Sequence, residues 1–324
     1  MRRRDLLAVT AAALAAPWAR GATELPKGTV KIYVGWAPGG GTDVFARIVG
    51  QKLAELWGRA VIIENKPGAT GTLAADFFAR TRFSDGLNLL MAHVNTHAIS
   101  PHIIKSLSYD PLRDFAPIAL VGATPHVLVT AAKPAVPALS EVVEQCRKSP
   151  GKIGFGSSGT GSVQHLAAAM FGLAADVQTL HVPYKGSGPM QTDLIGGQIP
   201  YSFDTMTAAT AQVKGRKLSA IAQTRLRRAK GFPDVPTMDE LGFKGFDVSS
   251  WYGVVGPKDM SRDLAQQINA DIAKVLAAPD VLSRFDGYGV EGGGGSVDRF
   301  AAFMADEFKK WGQVVRTAKI TEEN

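Results

Sequence analysis

The 324-residue sequence reads as an α/β chain folded into two lobes that face one ligand. Two glycine-rich loops, Ala37-Pro-Gly-Gly-Gly-Thr-Asp43 and Gly156-Ser-Ser-Gly-Thr-Gly-Ser162, each join a short apolar run to an amphipathic helical run, and each opens one half of the chain. The second glycine turns correspond as well. Gly71 lies about thirty residues after Gly40 and Gly188 about thirty after Gly159, the length of one βαβ unit. A helix N-terminus leaves its first N–H groups unpaired and carries partial positive charge, so glycines that let backbone approach closely make such a turn an anion cradle. The expected ligand is a small carboxylate or similarly charged solute.

Each element follows from its pattern. Residues 30–35 form a short β-rich run, after which Val44, Phe45, Ile48, Val49, Lys52/Leu53 and Leu56 recur at helical spacing. Residues 60–64 read as a strand, Asn65-Lys-Pro-Gly-Ala-Thr-Gly71 leads into a helix over 73–80, and 87–92 give a third strand. The first lobe is therefore βαβαβ. Residues 152–155, 163–173, 177–182, 189–195 and 199–203 repeat that order. Two hinge strands are expected: residues 115–130, leaving the first lobe near Gly122-Ala-Thr124, and residues 248–256, Val-Ser-Ser-Trp-Tyr-Gly-Val-Val-Gly, returning to it. Leu264, Ile268, Ile272 and Val275, then Phe300, Phe303/Met304, Phe308 and Trp311, mark two amphipathic helices that cover the first lobe. The expected division is a signal over 1–21, the first lobe over 22–123 and 256–324, and the second over 124–255. Ligands of open parallel sheets sit outside the carboxyl ends of the strands, so two lobes set mouth to mouth place the site in the cleft.

Arg2, Arg3 and Arg4 precede the apolar run Leu6-Leu-Ala-Val-Thr-Ala-Ala-Ala-Leu-Ala-Ala16, which is too short to span a bilayer and reads as a secretory signal. Arg3-Arg4-Asp5-Leu6-Leu7 approximates the twin-arginine pattern, and a Sec route stays open beside it. Ala19 and Gly21 are small and stand where an A-x-A-like site needs them, so cleavage is expected after Gly21; cleavage after Ala22 places Arg20 at the third site. The expected location is periplasmic. Cys146 is the only cysteine, which excludes an intramolecular disulfide, a cysteine metal cluster and a lipidated cysteine at the signal. Removing the signal lowers the formal charge from +7 to +4. The single basic cluster, Arg225-Leu-Arg-Arg-Ala-Lys230, carries no alternating aromatics, so no nucleic-acid partner is expected. With 45% hydrophobic residues the chain can bury two domain cores.

Several chemistries lack their residues. The nucleophile elbow G-x-S-x-G fails because Thr160 takes the last glycine position after Ser158. His93 and His97 have i,i+4 spacing, but His93 falls at a strand end and no H-E-x-x-H accompanies it, so no metal is expected. Gly154-Phe-Gly-Ser-Ser-Gly159 is formally G-x-G-x-x-G, yet the next strand ends His181-Val-Pro-Tyr-Lys185 without the acidic ribose partner, and no cofactor is expected. Thr42 or Asp43 can cap the first helix and Ser162 the second-lobe helix, leaving Ser157 and Ser158 as ligand candidates.

Taken in order, several motifs resemble the Bug family, the periplasmic solute receptors of tripartite tricarboxylate-type transporters. They are Pro38-Gly-Gly-Gly-Thr-Asp43, Glu64-Asn-Lys-Pro-Gly-Ala69, Thr96-His-Ala98, Tyr109-Asp-Pro111 with Asp114-Phe-Ala-Pro117, the loop Gly156–Ser162 with His165-Leu166, His181-Val-Pro-Tyr-Lys-Gly186, Asp193-Leu-Ile-Gly-Gly-Gln198, Phe203-Asp204 and Pro233-Asp-Val-Pro-Thr237. The resemblance spans essentially the whole mature chain. It implies a type II periplasmic-binding (Venus flytrap) fold that closes, without chemistry, on a small carboxylate, amino acid or aromatic acid for an inner-membrane permease or a sensor protein. Carried over by motif, it points to Pro38, Gly39, Gly40 and Asp43 in the first lobe and to Ser157, Ser158, Tyr184 and Asp204 in the second. Asp204 either receives an ammonium or hydroxyl or holds a loop. Two departures bear on pocket shape: Ala69-Thr-Gly-Thr72 replaces a denser glycine run, and Thr207-Ala-Ala-Thr210 a proline-containing stretch. The alternatives are a periplasmic oxidoreductase, which cofactor absorbance or turnover would reveal, and a non-binding scaffold, whose stability no small molecule would alter.

Overall fold

The structure, a computed structural model, describes residues 25–84, 86–132, 135–318 and 321; the expected signal over 1–21, with its arginines and cleavage site, lies outside them. The first half opens with β1 (Val30–Val34), α1 (Gly41–Trp57), β2 (Val61–Asn65), α2 (Thr72–Arg80) and β3 (Leu87–His93). β1 pairs in parallel with both β2 and β3, and its Val30, Ile32 and Val34 are fully buried. β3 is buried along its whole length, Asn88 and His93 included, as befits a mostly apolar strand covered on both faces. A π-helical turn (Asn95–Ile99) and the short α3 (Ser100–Ile103) follow it.

β4 (Phe115–Ala131) then runs for 17 residues and serves two sheets. Its stretch from Phe115 to Pro125 pairs with β9 (Ser249–Pro257), and its stretch from His126 onward pairs with β7 (Tyr201–Thr205) and β8 (Leu218–Gln223). The second half repeats the first: β5 (Gly154–Ser157) pairs in parallel with β6 (Leu180–Pro183) and with β7, while α4 (Leu139–Lys148), α5 (Val163–Ala175), α6 (Ser187–Ile195) and α7 (Met206–Lys214) cover it. The strand order is β2-β1-β3-β9-β4-β7-β5-β6, with β8 beside β4. This is the two-lobed α/β fold with two crossing strands.

After β9 the chain returns to the first lobe as α8 (Arg262–Leu276), α9 (Pro279–Gly287) and α10 (Val297–Ala318). Ile268 and Ile272 of α8 join Phe45 and Leu53 of α1 in one core, whereas Phe300 and Trp311 of α10 pack with Trp251 and Phe78 in another that extends to Phe155, Phe171 and Phe203 of the second lobe. Sequence periodicity missed α4, α7, α9 and β8. It also placed β5 two residues early and began β6 at 177 instead of Leu180, because the flanking Lys152, Ile153, Val177 and Thr179 have strand-like composition but serve the turns.

Candidate functional site

Four helices present their N-termini to the space between the lobes. α1 and α6 begin after Gly40 and Gly186 with no side-chain cap, while α5 and α7 are capped by Ser162, which accepts from His165 N, and Thr205, which accepts from Ala208 N. Thus Ser162 caps as expected, but neither Thr42 nor Asp43 does: both lie inside α1. Asp43 instead turns backward to accept from Gly39 N at 3.0 Å, and it takes the Arg47 guanidinium at 2.8 and 2.9 Å and Asn65 Nδ2 at 2.9 Å. Burial raises the Asp43 pKa, but Arg47, the Gly39 N–H and Asn65 outweigh it and hold the carboxyl below its usual range. The side chain therefore stays ionised and ties the glycine loop to its own helix.

Gly41 shows why that loop is glycine-rich. A Cβ there would stand 2.5 Å from the Tyr252 hydroxyl and 3.0 Å from Thr205 Oγ1 of the opposite lobe. Close approach leaves an inner cavity of about 20 Å³, room for one water or the oxygens of one carboxylate. The first lobe contributes Trp36, Gly40, Gly41, Thr42, His93 and Asn95; the second contributes Ser158, Val163, Gln164, Ser187 and Thr205; the crossing strands add His126, Ser250 and Tyr252. An outer cavity of about 320 Å³ shares Trp36 and Ser158 with it and is walled by Thr70, Gly71, Ile103, Ile104, Thr160, Tyr184 and Lys185. That volume lies within the range of small-molecule sites.

The lobes touch over the mouth. Thr70 Oγ1 donates to Thr160 O at 2.8 Å, and Asn95 Nδ2 donates to Gly161 O at 2.7 Å. Ala69 and Thr70 hold left-handed φ values of 45° and 54°, the conformation that a denser glycine run would supply more easily. L-residues pay about 1–2 kcal/mol each for it, and the interlobe contact of Thr70 compensates part of that cost.

The inner cavity contains no ionised side chain among its lining residues. Burial, with His126 and His97 nearby, lowers the His93 pKa well below 6.5; burial also pushes His126 down to about 4 against the Phe203 carbonyl that its ring contacts. Both imidazoles are neutral at pH 7. Burial raises the Tyr252 pKa, so its hydroxyl keeps its proton.

Of the expected residues, Gly40 lines the inner cavity, Tyr184 the outer, and Ser158 both. Pro38, Gly39, Asp43, Ser157 and Asp204 line neither; Asp43, Ser157 and Asp204 are buried behind the wall, whereas Pro38 and Gly39 are exposed. Asp204, fully buried, accepts from Gln164 Nε2, Ser187 Oγ, Gln191 Nε2 and the Thr205 N–H at 2.6–2.8 Å. Burial still raises its pKa against those four donors. These bonds fix Gln164 and Ser187, which do line the cavity.

Ser157 forms a contact that the sequence did not reveal, 2.7 Å from His181 Nε2, with His181 stacked on His165 at 3.7 Å. A hydroxyl beside an imidazole is the start of a nucleophilic pair. Here the serine lines neither cavity, and burial, reinforced by His165, holds His181 at about 4, too acidic for a general base at pH 7. Gly154 and Gly156 of the formal G-x-G-x-x-G lie within β5, so they make no phosphate-binding turn. Among the described residues no group of three His, Cys, Asp or Glu could hold a metal ion. Three residues of the basic cluster are engaged internally, Arg228 by Glu240, Lys230 by Asp286, and Arg225 by Glu291 and the Ala123 carbonyl. No helix among the described residues is long and apolar enough to cross a membrane.

Comparison with known proteins gives a consistent picture. A family model described as the tripartite tricarboxylate transporter family receptor matches residues 45–320. Protein BugT of Bordetella pertussis is 33% identical over 309 residues, covering 95% of this chain and 94% of that one. The solved structure of the periplasmic binding protein BugD superposes with a TM-score of 0.85 at 31% identity, over 91% of this chain and 99% of that one. Rpa4515 of R. palustris, solved with adipate, gives 0.86 at 28% identity, over 90% and 98%.

Proposed function

The chain belongs to the tripartite tricarboxylate transporter family receptors, and we propose that it captures a small carboxylated solute between its lobes in the periplasm, without chemical change, and presents the closed form to an inner-membrane permease or a sensor protein. One observation carries the reading: the N-termini of α1, α5, α6 and α7 meet at a small cavity whose lining holds only neutral groups. Such a site attracts a carboxylate through backbone dipoles and N–H donors, with no counter-cation. The structural relative solved with adipate supports a carboxylate as the ligand class. The outer cavity accommodates the body of the solute, with Lys185 the one charged side chain in its wall.

The test is thermal and urea unfolding against a panel of carboxylates. A ligand bound by the folded state alone adds about 2.7 kcal/mol at one hundred times its dissociation constant. Native mass spectrometry should then recover that solute intact from the complex. A panel that leaves the transition unmoved, or a solute recovered chemically altered, refutes the receptor reading.

A further inference from the structure

We propose that Lys185 receives a second anionic group of the solute and is the residue that makes the receptor prefer a dianion to a monoanion of the same size. This deepens the carboxylate reading above and rests on it. The inner and outer cavities share Trp36 and Ser158, so one solute can run from the floor into the outer space. Its first carboxylate then meets the uncapped helices α1 and α6, which contribute Gly41 and Ser187 to the inner lining.

Beyond the floor the wall changes character. Trp36, Ile103 and Ile104 supply apolar surface for a short hydrocarbon body. No acidic residue lines either cavity, and Lys185 is the only charged side chain in their lining. A cleft that carries one sign of charge, between walls of low polarity, concentrates ions of the opposite sign.

The protein leaves this ammonium without a counter-charge. Asp193, on the helix that Lys185 precedes, is turned to the neighbouring Tyr184 and accepts its hydroxyl at 2.8 Å. Among the described residues Lys185 forms no ion pair of its own. It stands two positions before Ser187 of the inner lining, at most about 7 Å along an extended chain, and its stem is flexible. The floor and the ammonium are therefore within reach of the two ends of a short dicarboxylate. Lys185 keeps contact with solvent, so the expected preference is moderate, about fivefold or more.

Isothermal titration of the wild-type protein and of Lys185→Met, with folding of both checked by circular dichroism, tests this on matched pairs: succinate, glutarate, adipate and terephthalate, each against its own monoamide. The amide keeps the size and shape of the second carboxyl and removes its charge. In the wild type each diacid that binds is expected to bind at least fivefold more tightly than its monoamide, and in Lys185→Met the two members should fall within twofold of each other. A wild-type preference below fivefold, or one that survives in Lys185→Met, overturns the inference and leaves the carboxylate receptor standing. The inference falls alone as well if the only acids that bind are monoanions. If no carboxylate binds at all, the carboxylate reading itself falls and takes the inference with it.

Discussion

Replacing Asp204 separates a supporting carboxylate from a ligand-contacting one. Asp204→Ala leaves Gln164, Ser187, Gln191 and the Thr205 N–H without their shared acceptor inside a region closed to water. Hydrogen bonds to a charged group are worth about 1.5–3 kcal/mol each, but the carboxylate also pays several kcal/mol for its own desolvation, so the expected net loss is about 3–5 kcal/mol. Gln164 and Ser187 also form part of the cavity wall, so affinity for a bound acid such as adipate should fall at least about tenfold, or 1.4 kcal/mol. Asp204→Asn should behave differently. Its oxygen retains the partners of Oδ1, and its new amide faces Gln191, whose own amide can turn to present oxygen. The expected loss is below about 2 kcal/mol, with binding retained. Urea unfolding followed by circular dichroism, together with calorimetric titration, reads both effects. An Asp204→Ala protein that unfolds at the wild-type midpoint yet no longer binds would mean that the carboxylate touches the ligand and supports nothing.

The Thr70–Thr160 and Asn95–Gly161 hydrogen bonds exist only with the lobes together, so Thr70→Ala combined with Asn95→Ala should weaken ligand affinity by about 2 kcal/mol, roughly thirtyfold; unchanged affinity in calorimetry would show that neither bond contributes to closure. Gly41→Ala drives a methyl onto the Tyr252 and Thr205 hydroxyls and should cost about 1–3 kcal/mol of binding, with wild-type titration the result that refutes it. Acid should unfold the protein early, since His97 and His126 are held at about 3 and about 4 against an ordinary 6.5. Their folded pKa values lie below the unfolded ones, so stability is full above about pH 6.5 and each costs about 1.4 kcal/mol per pH unit as pH falls toward 4. The raised Asp204 pKa acts in the opposite sense and offsets part of this loss. Equal urea midpoints at pH 7 and pH 5 would contradict neutral burial of these imidazoles.

The architecture was legible where one local pattern decided the element. The alternation and β-branching of Val30–Val34, the mostly apolar Leu87–His93 and the helical stripe of Gly41–Trp57 each need only neighbouring residues to declare themselves. β8 did not, because Leu-Ser-Ala-Ile-Ala-Gln is mostly small and becomes a strand through its antiparallel pairing with β4. Residues of both glycine loops line the interlobe cavities, since close approach of backbone is written into glycine itself. The identity of the lining was beyond local reading: His126, Ser250 and Tyr252 arrive on the crossing strands, and Asp204 acquires its role from Gln164, Ser187 and Gln191, which are far from it in sequence. Glycines announce where backbone comes close, whereas nothing local distinguishes a histidine in a core from one whose second nitrogen meets a cavity.

The position of β9 between β3 and β4 constrains the order in which the molecule can be assembled. His93 at the end of β3 pairs with Tyr252, 159 positions later, and until that strand is made the edge of β3 stands open. The second sheet, by contrast, draws all its strands from the stretch between His126 and Gln223. Distant strand pairings form slowly, and an unpaired edge invites association with other chains. A chain that ended before residue 249 would retain every strand of the second sheet and leave the first incomplete, so the half synthesised first is the half that finishes last.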